Sequence, residues 1–263
     1  MARVFITGSS DGLGLLAGRL LAAEGHAVVL HARNKSRAED AQAALSQSGR
    51  AQAAGVVTGD LSGLAGMRQV AEQADAAGPF DAVIHNAGVG HRNPPHRVTT
   101  EDGLGLVFAV NVLAPYLLTA LMERPGRLIY LSSGLHRDAE ASLEDAQWER
   151  RPWSSFQAYS ESKLLDVALT FAVARRWPGV LVNGVEPGWV ATKMGGPAAP
   201  DDLSLAPVTQ AWLAVSDDQA ATVTGGYFFH QQPQETHPAA RDVTFQDELL
   251  AYCARLSGVE LPA

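Results

Sequence analysis

An apolar run, Val4-Phe5-Ile6, passes directly into Thr7-Gly8-Ser9-Ser10-Asp11-Gly12-Leu13-Gly14, and apolar residues at helical spacing follow at Leu16, Leu20 and Leu21. The chain must therefore turn from strand to helix within a few residues. Glycine leaves the space such a turn needs and tolerates backbone conformations closed to other residues. Gly8 permits the tight turn, Gly12 lets the backbone approach a ligand, and Gly14 lets the first helix pack closely on the strand. A helix beginning here aims its unpaired N–H groups at whatever the turn holds, which suits a pyrophosphate. Ser10, Asp11 and Leu13 belong to the same cradle.

Three glycines at this spacing are weak evidence in a chain that has 25, and the context decides their meaning. Short β-branched runs recur at Val4-Ile6, Ala27-Leu30, Val56-Val57, Ala82-Ile84, Leu128-Leu131, Val180-Val182 and Tyr227-Phe229. Helix-spaced apolar residues lie between them, as in Leu113, Leu117, Leu118 and Leu121, and again in Leu165, Leu169 and Val173. Continuous apolar strands mean burial on both faces, which helices covering a parallel sheet produce. The expected fold class is α/β: a Rossmann-type, doubly wound parallel sheet of about seven strands with helices on both faces. Irregular stretches at Gly90 to Thr100, Gly134 to Ser155 and Gly195 to Leu205 follow predicted strands and are expected on the ligand side. Gln231 to Val243 is a fourth.

With 263 residues, 46% of them hydrophobic, the chain suits a single domain over 1–263. A net charge of -8 argues against nucleic acid or an anionic membrane as partner. The single cysteine, Cys253, excludes an intramolecular disulfide or a cysteine-based metal site, consistent with a reducing compartment. The first strand begins at about Arg3, leaving no room for a signal peptide upstream, and no apolar run approaches membrane-spanning length. A cytoplasmic location with no membrane anchor is expected.

Tyr159-Ser160-Glu161-Ser162-Lys163 lies in a helix-like run beginning near Phe156, and a spacing of four sets phenol and ammonium side by side on one face. A cation beside a phenol favours the phenolate, which makes Tyr159 a candidate general acid or base. Ser133 stands just past the strand Leu128-Leu131, where its hydroxyl can bond a carbonyl or alcohol oxygen. Asn111, in another helix-like run, is a fourth polar candidate; alone it reads equally as a helix-surface residue. His85, His91, His96 and His136 form no metal-ligand pattern, and no metal is expected. His85 reads as structural, and His136, close to Ser133, as a candidate substrate contact.

Together these residues resemble the short-chain dehydrogenase/reductase family nearly end to end. The ordered motifs are TGSSDGLG, Asp60-Leu61 after the third strand, Asn86-Ala87-Gly88, Asn111, Ser133, the Tyr159/Lys163 pair, and Pro187-Gly188 through Val190 to Thr192. The resemblance implies an oxidoreductase that moves hydride between a nicotinamide dinucleotide and a carbonyl or alcohol. It makes Tyr159 the proton donor, and gives Lys163 the lowering of its pKa and the nicotinamide ribose. Ser133 would orient the substrate oxygen, Asn111 would hold a relay water, and Thr192 would contact the carboxamide. Asp60 and Leu61 would border the adenine, with Asn86, Ala87 and Gly88 as the floor.

An acidic residue at the end of the second strand would bind the adenosine ribose and repel a 2′-phosphate. That place reads His31-Ala32-Arg33, with Lys35 and Arg37 nearby. The planar fork of Arg33 suits a phosphate, so the expected cofactor is NADP(H). Asp11 is a departure, because many NADP-dependent relatives carry a basic residue in the glycine loop. A second departure is the long segment between Ser133 and Tyr159, which resembles the retinol-dehydrogenase and WW-domain-oxidoreductase-like branch. There, apolar alcohols and aldehydes are common substrates. Residues 134–155 could cover the substrate cleft, shield a subunit interface or staple a surface loop, so monomer and homodimer both stay open. Residues 193–210 are the expected substrate lid. The rival functions are a non-catalytic dinucleotide-sensing regulator and a reductase acting on a C=C or C=N bond.

Overall fold

A computed structural model describes residues 1–46, 53–91 and 96–263; residues 92–95 of the expected loop at Gly90 to Thr100 lie outside them. The expected strands form as β1 (Arg3–Ile6), β2 (Ala27–Ala32), β3 (Gly55–Thr58), β4 (Ala82–His85), β5 (Arg127–Leu131), β6 (Leu181–Glu186) and β7 (Gly226–Phe229). All seven pair in parallel. An eighth, β8 (Gln232–Pro233), adds antiparallel to β7, giving the order β3-β2-β1-β4-β5-β6-β7-β8. Two residues, one of them proline, carry no strand signal, which is why the sequence predicts seven strands. Proline is tolerated there because β8 is the edge.

The helices are α1 (Gly12–Ala23), α2 (Lys35–Ser46), α3 (Leu64–Ala77), α4 (Leu106–Phe108), α5 (Ala114–Leu121), α6 (Ser155–Arg176), α7 (Val208–Val215) and α8 (Val243–Ser257). A π-helical stretch, Ala109–Leu113, joins α4 to α5 without a break. Alternate residues of each strand feed two cores. Val4, Ile6, Val28, Leu30 and Ile84 pack with Leu21 of α1, Leu45 of α2 and Leu213 of α7. Phe5, Val29, Val83 and Tyr130 pack with Val70 of α3, Leu117 of α5, Leu165 of α6 and Leu249 of α8. With both faces covered, ligand access is left to the strand ends. The order reverses between β2-β1 and β4, the switch point at which open α/β sheets bind ligands beyond their carboxyl ends.

Candidate active site

The turn after β1 is fastened from three strands. Gly8 takes a φ of 61°, and its N–H donates to His31 Nδ1 of β2 at 2.9 Å. With Nδ1 accepting, Nε2 donates to the Gly59 carbonyl, 2.9 Å away and just past β3. Burial lowers the pKa of His31, which keeps the neutral ring these two bonds need. Thr7 Oγ1 accepts from the N–H groups of both Asn86 and Ala87 at 3.0 Å, and Asn86 Nδ2 donates to the Thr7 and Gly8 carbonyls. A Cβ on Gly8 would stand 2.8 Å from Ala87 Cα, so the turn and the Asn86-Ala87-Gly88 segment touch backbone to backbone. Gly12, with φ of 54°, faces open space: nothing lies within 4 Å of a Cβ built there.

These segments wall a cleft of about 700 Å³ at the switch point. Of the residues predicted from sequence, Gly8, Ser10, Asp11, Gly12, Leu13, Arg33, Asp60, Leu61, Asn86, Ala87, Gly88, Tyr159, Lys163, Pro187 and Thr192 line it. Gly14, Asn111, Ser133, Gly188 and Val190 are not among its lining residues. Asn111 is buried within the π-helical stretch, where its Oδ1 accepts from Val89 N–H at 2.7 Å and its Nδ2 donates to the Val89 carbonyl and Ser162 Oγ. The side chain therefore braces the cleft wall. A π-helical turn inside an α-helix is a frequent companion of functional sites.

Tyr159 and Lys163 share one face of α6, whose first turn is capped by Ser154 Oγ accepting from Gln157 N–H. Lys163 Nζ donates to the Leu131 carbonyl at 2.5 Å, joining the helix to the end of β5. Leu131 and Ser132 line the cleft, and Ser133, next in the chain, has its Oγ accepting from Leu135 N–H. His136 does not reach the cleft. It is fully buried, with Nδ1 2.7 Å from the Ser133 carbonyl and its ring edge-on to Tyr227 at 4.8 Å. Burial pushes its pKa down to about 4, and the ring packs against Tyr227 outside the cleft lining, where the sequence leaves a substrate contact open as one candidate reading. His85 is structural, bonded through Nε2 to Thr119 Oγ1.

At the β2 end of the cleft stand three arginines, Arg19, Arg33 and Arg37. The acid expected to oppose a phosphate there, Asp11, is itself countered: Arg37 Nη1 lies 3.3 Å and Lys193 Nζ 2.7 Å from its Oδ2. Partial burial works to raise its pKa, but the two cations hold it below 3.8. Arg19, Leu106 and Val110 are cleft residues that the sequence reading missed, whereas Lys193, Met194 and Leu203 come from the segment 193–210 expected as the lid. Arg19 had a legible signal, since it lies two helical turns after Gly12 on the same face. The pairing of Lys193 with Asp11 had no local signal, because it spans 182 residues.

An open cradle at Gly12, a helix N-terminus beside it and cations at one end fit a nucleotide pyrophosphate with a further anionic group. Among the described residues, no group of three or more His, Cys, Asp or Glu side chains could hold a metal ion, and no helix is long and apolar enough to cross a membrane.

A family profile described as short chain dehydrogenase matches residues 2–144. An uncharacterized oxidoreductase of Emericella nidulans is 43% identical over 265 residues, covering 100% of this chain and 99% of that protein. Human retinol dehydrogenase 13 is 31% identical, covering 99% of this chain and 86% of its own. A solved structure of an uncharacterized protein from Mycobacterium paratuberculosis superposes with a TM-score of 0.84 at 26% identity, over 100% of this chain and 96% of that one.

Proposed function

The chain belongs to the short-chain dehydrogenase/reductase family, in its retinol-dehydrogenase-like branch, and from that premise we propose that it is a cytoplasmic NADP(H)-dependent oxidoreductase acting on a carbonyl or alcohol of an apolar small molecule. The observation that carries this reading is that one cleft is lined by the glycine turn, by the Tyr159/Lys163 pair and by three arginines at its far end. When bound, the nicotinamide supplies or accepts the hydride. The residues supply the rest. The N–H groups at the start of α1 bind the pyrophosphate, with Gly12 leaving room for it. Arg33, Arg37 and Arg19 bind a 2′-phosphate, while Asp60 and Leu61 border the adenine.

Tyr159 gives its proton to the substrate oxygen in reduction and takes it back in oxidation. Lys163 holds the nicotinamide ribose and favours the phenolate. Ser133 orients the substrate oxygen. Asn111 acts from behind by fixing Val89 against the cleft. Residues 193–210 serve as the lid, and Met194 and Leu203 with Leu106 and Val110 give the substrate end an apolar lining.

The test is a pair of fluorescence titrations, with NADPH and with NADH, followed by NADPH oxidation against a panel of apolar ketones and aldehydes. NADPH is expected to bind at least tenfold tighter, about 1.4 kcal/mol, with that preference lost in the Arg33→Ala/Arg37→Ala double variant. Tyr159→Phe should keep NADPH binding and lose turnover by about 100-fold or more. A preference for NADH overturns the cofactor assignment, and binding of neither overturns the reading as a whole.

A further inference from the structure

One buried ionisable side chain beside Lys163 has no part in the hydride chemistry above. Asp166 lies on α6 at i+7 from Tyr159 and i+3 from Lys163, so the three residues form one stripe of the helix. It is 2% exposed, and its Oδ2 stands 3.5 Å from Lys163 Nζ. The same ammonium donates to the Leu131 carbonyl, so Lys163 is held from below by a carboxylate and a carbonyl while its cleft side faces Gly88: a Cβ there would be 3.9 Å from Nζ.

The titratable groups whose fields meet Asp166 are Lys163 on its own helix, Tyr130 of β5 and Tyr227 of β7. Burial foremost, with the Asp166 charge adding to it, holds both phenols far above their ordinary range, so Lys163 is the cation of this group. A buried carboxylate beside one cation does two things. It fixes the position of that cation, and it offsets the charge that the cation presents elsewhere.

We propose that Asp166 is a positioning residue for proton transfer: it anchors the Lys163 ammonium and offsets its charge, and so sets the pH at which the Tyr159 phenol releases its proton. The inference rests on the proposed role of Tyr159 and Lys163. The sign follows from electrostatics. A cation alone beside a phenol favours the phenolate, and a carboxylate on the far side of the cation opposes that effect. Burial raises the Asp166 carboxyl to about 6 despite the pull of Lys163. Around neutrality it is ionised, and the pair presents little net charge. His91, from the segment after β4, faces the Tyr159 ring with centroids 5.8 Å apart and is common to wild type and variants, so the effect of Asp166 is read as a difference between them.

Phenolate absorbance against pH tests this on the intact protein without cofactor or substrate. Wild type, Asp166→Asn and Asp166→Leu are each titrated, and the trace of the matching protein carrying Tyr159→Phe is subtracted. The subtraction isolates one phenol, since burial raises the other four, Tyr116, Tyr130, Tyr227 and Tyr252. Both substitutions should move the isolated titration down by about one pH unit, and the pH profile of kcat/KM should follow it. An unmoved or upward-shifted titration in a folded variant overturns the proposal and leaves Asp166 a packing residue. Asp166→Leu, with no polar group to satisfy, carries the test if Asp166→Asn does not fold. A protein that shows the downward shift but reduces no carbonyl overturns the functional reading and leaves the electrostatic one standing.

Discussion

The Lys193 ammonium donates to the Asp11 carboxylate at 2.7 Å across a sequence separation of 182 residues, tying the segment after β6 to the glycine turn after β1. Arg37 approaches the same oxygen from α2. Three stretches far apart in the chain thus meet over the mouth of the cleft, where an acid alone would repel a phosphate. Lys193 is largely exposed and Asp11 nearly half so, which makes the contact weak in energy and sensitive to salt. Its consequence lies in where the two cations are held when no anion competes for them.

Replacing Asp11 with asparagine should therefore release Arg37 and Lys193 toward a bound phosphate. NADPH affinity is expected to rise by about three- to tenfold at low salt, with a smaller change for NADH and a gain that shrinks as ionic strength increases. Paired fluorescence titrations at low and high salt check this. Weaker NADPH binding in Asp11→Asn would mean that the carboxylate helps build the cradle.

Gly12 and Gly14 separate binding from folding. A methyl at position 12 projects into open cleft space, although the residue must hold a φ of 54°. Gly12→Ala should cost about 1–2 kcal/mol of stability and abolish measurable dinucleotide binding. A methyl at position 14 would stand 2.5 Å from Asn86 Nδ2 and 2.9 Å from the Gly8 carbonyl oxygen. That amide is already pinned by two carbonyls, so Gly14→Ala should lower the Tm more than Gly12→Ala does, by overpacking worth about 1–3 kcal/mol. Melting curves with and without NADPH give the order, and the reverse order contradicts this account of the turn.

The legible parts of this molecule are those in which local pattern and final environment agree. Strands β1 to β7 read as apolar runs because the sheet buries both faces, and the glycine turn reads because its backbone requirement is local. The π-helical stretch around Asn111 does not read, since its apolar composition is that of any buried helix. His31 reads as a strand-end residue, yet it locks Gly8 to Gly59 through contacts 23 and 28 residues away in sequence. Glu161 and Asp166 resemble solvated positions on a helix and are buried, because each has a cation supplied by folding or by the next helical turn. Periodicity reports which face is apolar and is silent on which charges are paired.

Acid should destabilise the protein through its buried histidines. Burial lowers the pKa of His85 to about 3 and that of His136 to about 4, and it lowers that of His31 as well. A histidine depressed in the folded state contributes stability that is present above the unfolded value near 6.5 and is lost as pH falls toward the folded value. Asp166, raised to about 6, works the other way and adds stability as pH falls from about 6 toward 3.8. The histidines outweigh it. The expected net loss between about pH 7 and pH 4.5 is a few kcal/mol, read as a falling guanidinium midpoint. His85→Leu should make the slope shallower. A midpoint that is constant over this range would contradict the assignment of neutral, buried rings.

The segment 134–155 is stapled to the helix that carries Tyr159 and Lys163, and Glu161 is the staple. Its Oε2 accepts from Trp148 Nε1 at 3.0 Å, and Arg151 grips both carboxylate oxygens while its guanidinium lies 3.7 Å from the Trp148 ring centroid. Asp145 braces the arginine from the other side, and Trp148 holds a left-handed φ of 57°, a strained conformation that the contacts must sustain. Burial raises the Glu161 carboxyl, and Arg151 and Trp148 pull it back. Glu161→Ala would leave an indole N–H without its acceptor and strip the guanidinium of its bidentate partner, with Asp145 and Glu140 remaining, so it should cost about 2–3 kcal/mol. Arg151→Ala should cost a similar amount, because it leaves the Glu161 carboxylate, buried and without its cation, with only the bond to Trp148. In a double-mutant cycle the two should couple by about 1–3 kcal/mol. NADPH affinity should stay within about twofold of wild type in every folded variant, because Glu161 lines no part of the cleft. A coupling near zero would mean that the segment rests on α6 by apolar contact alone.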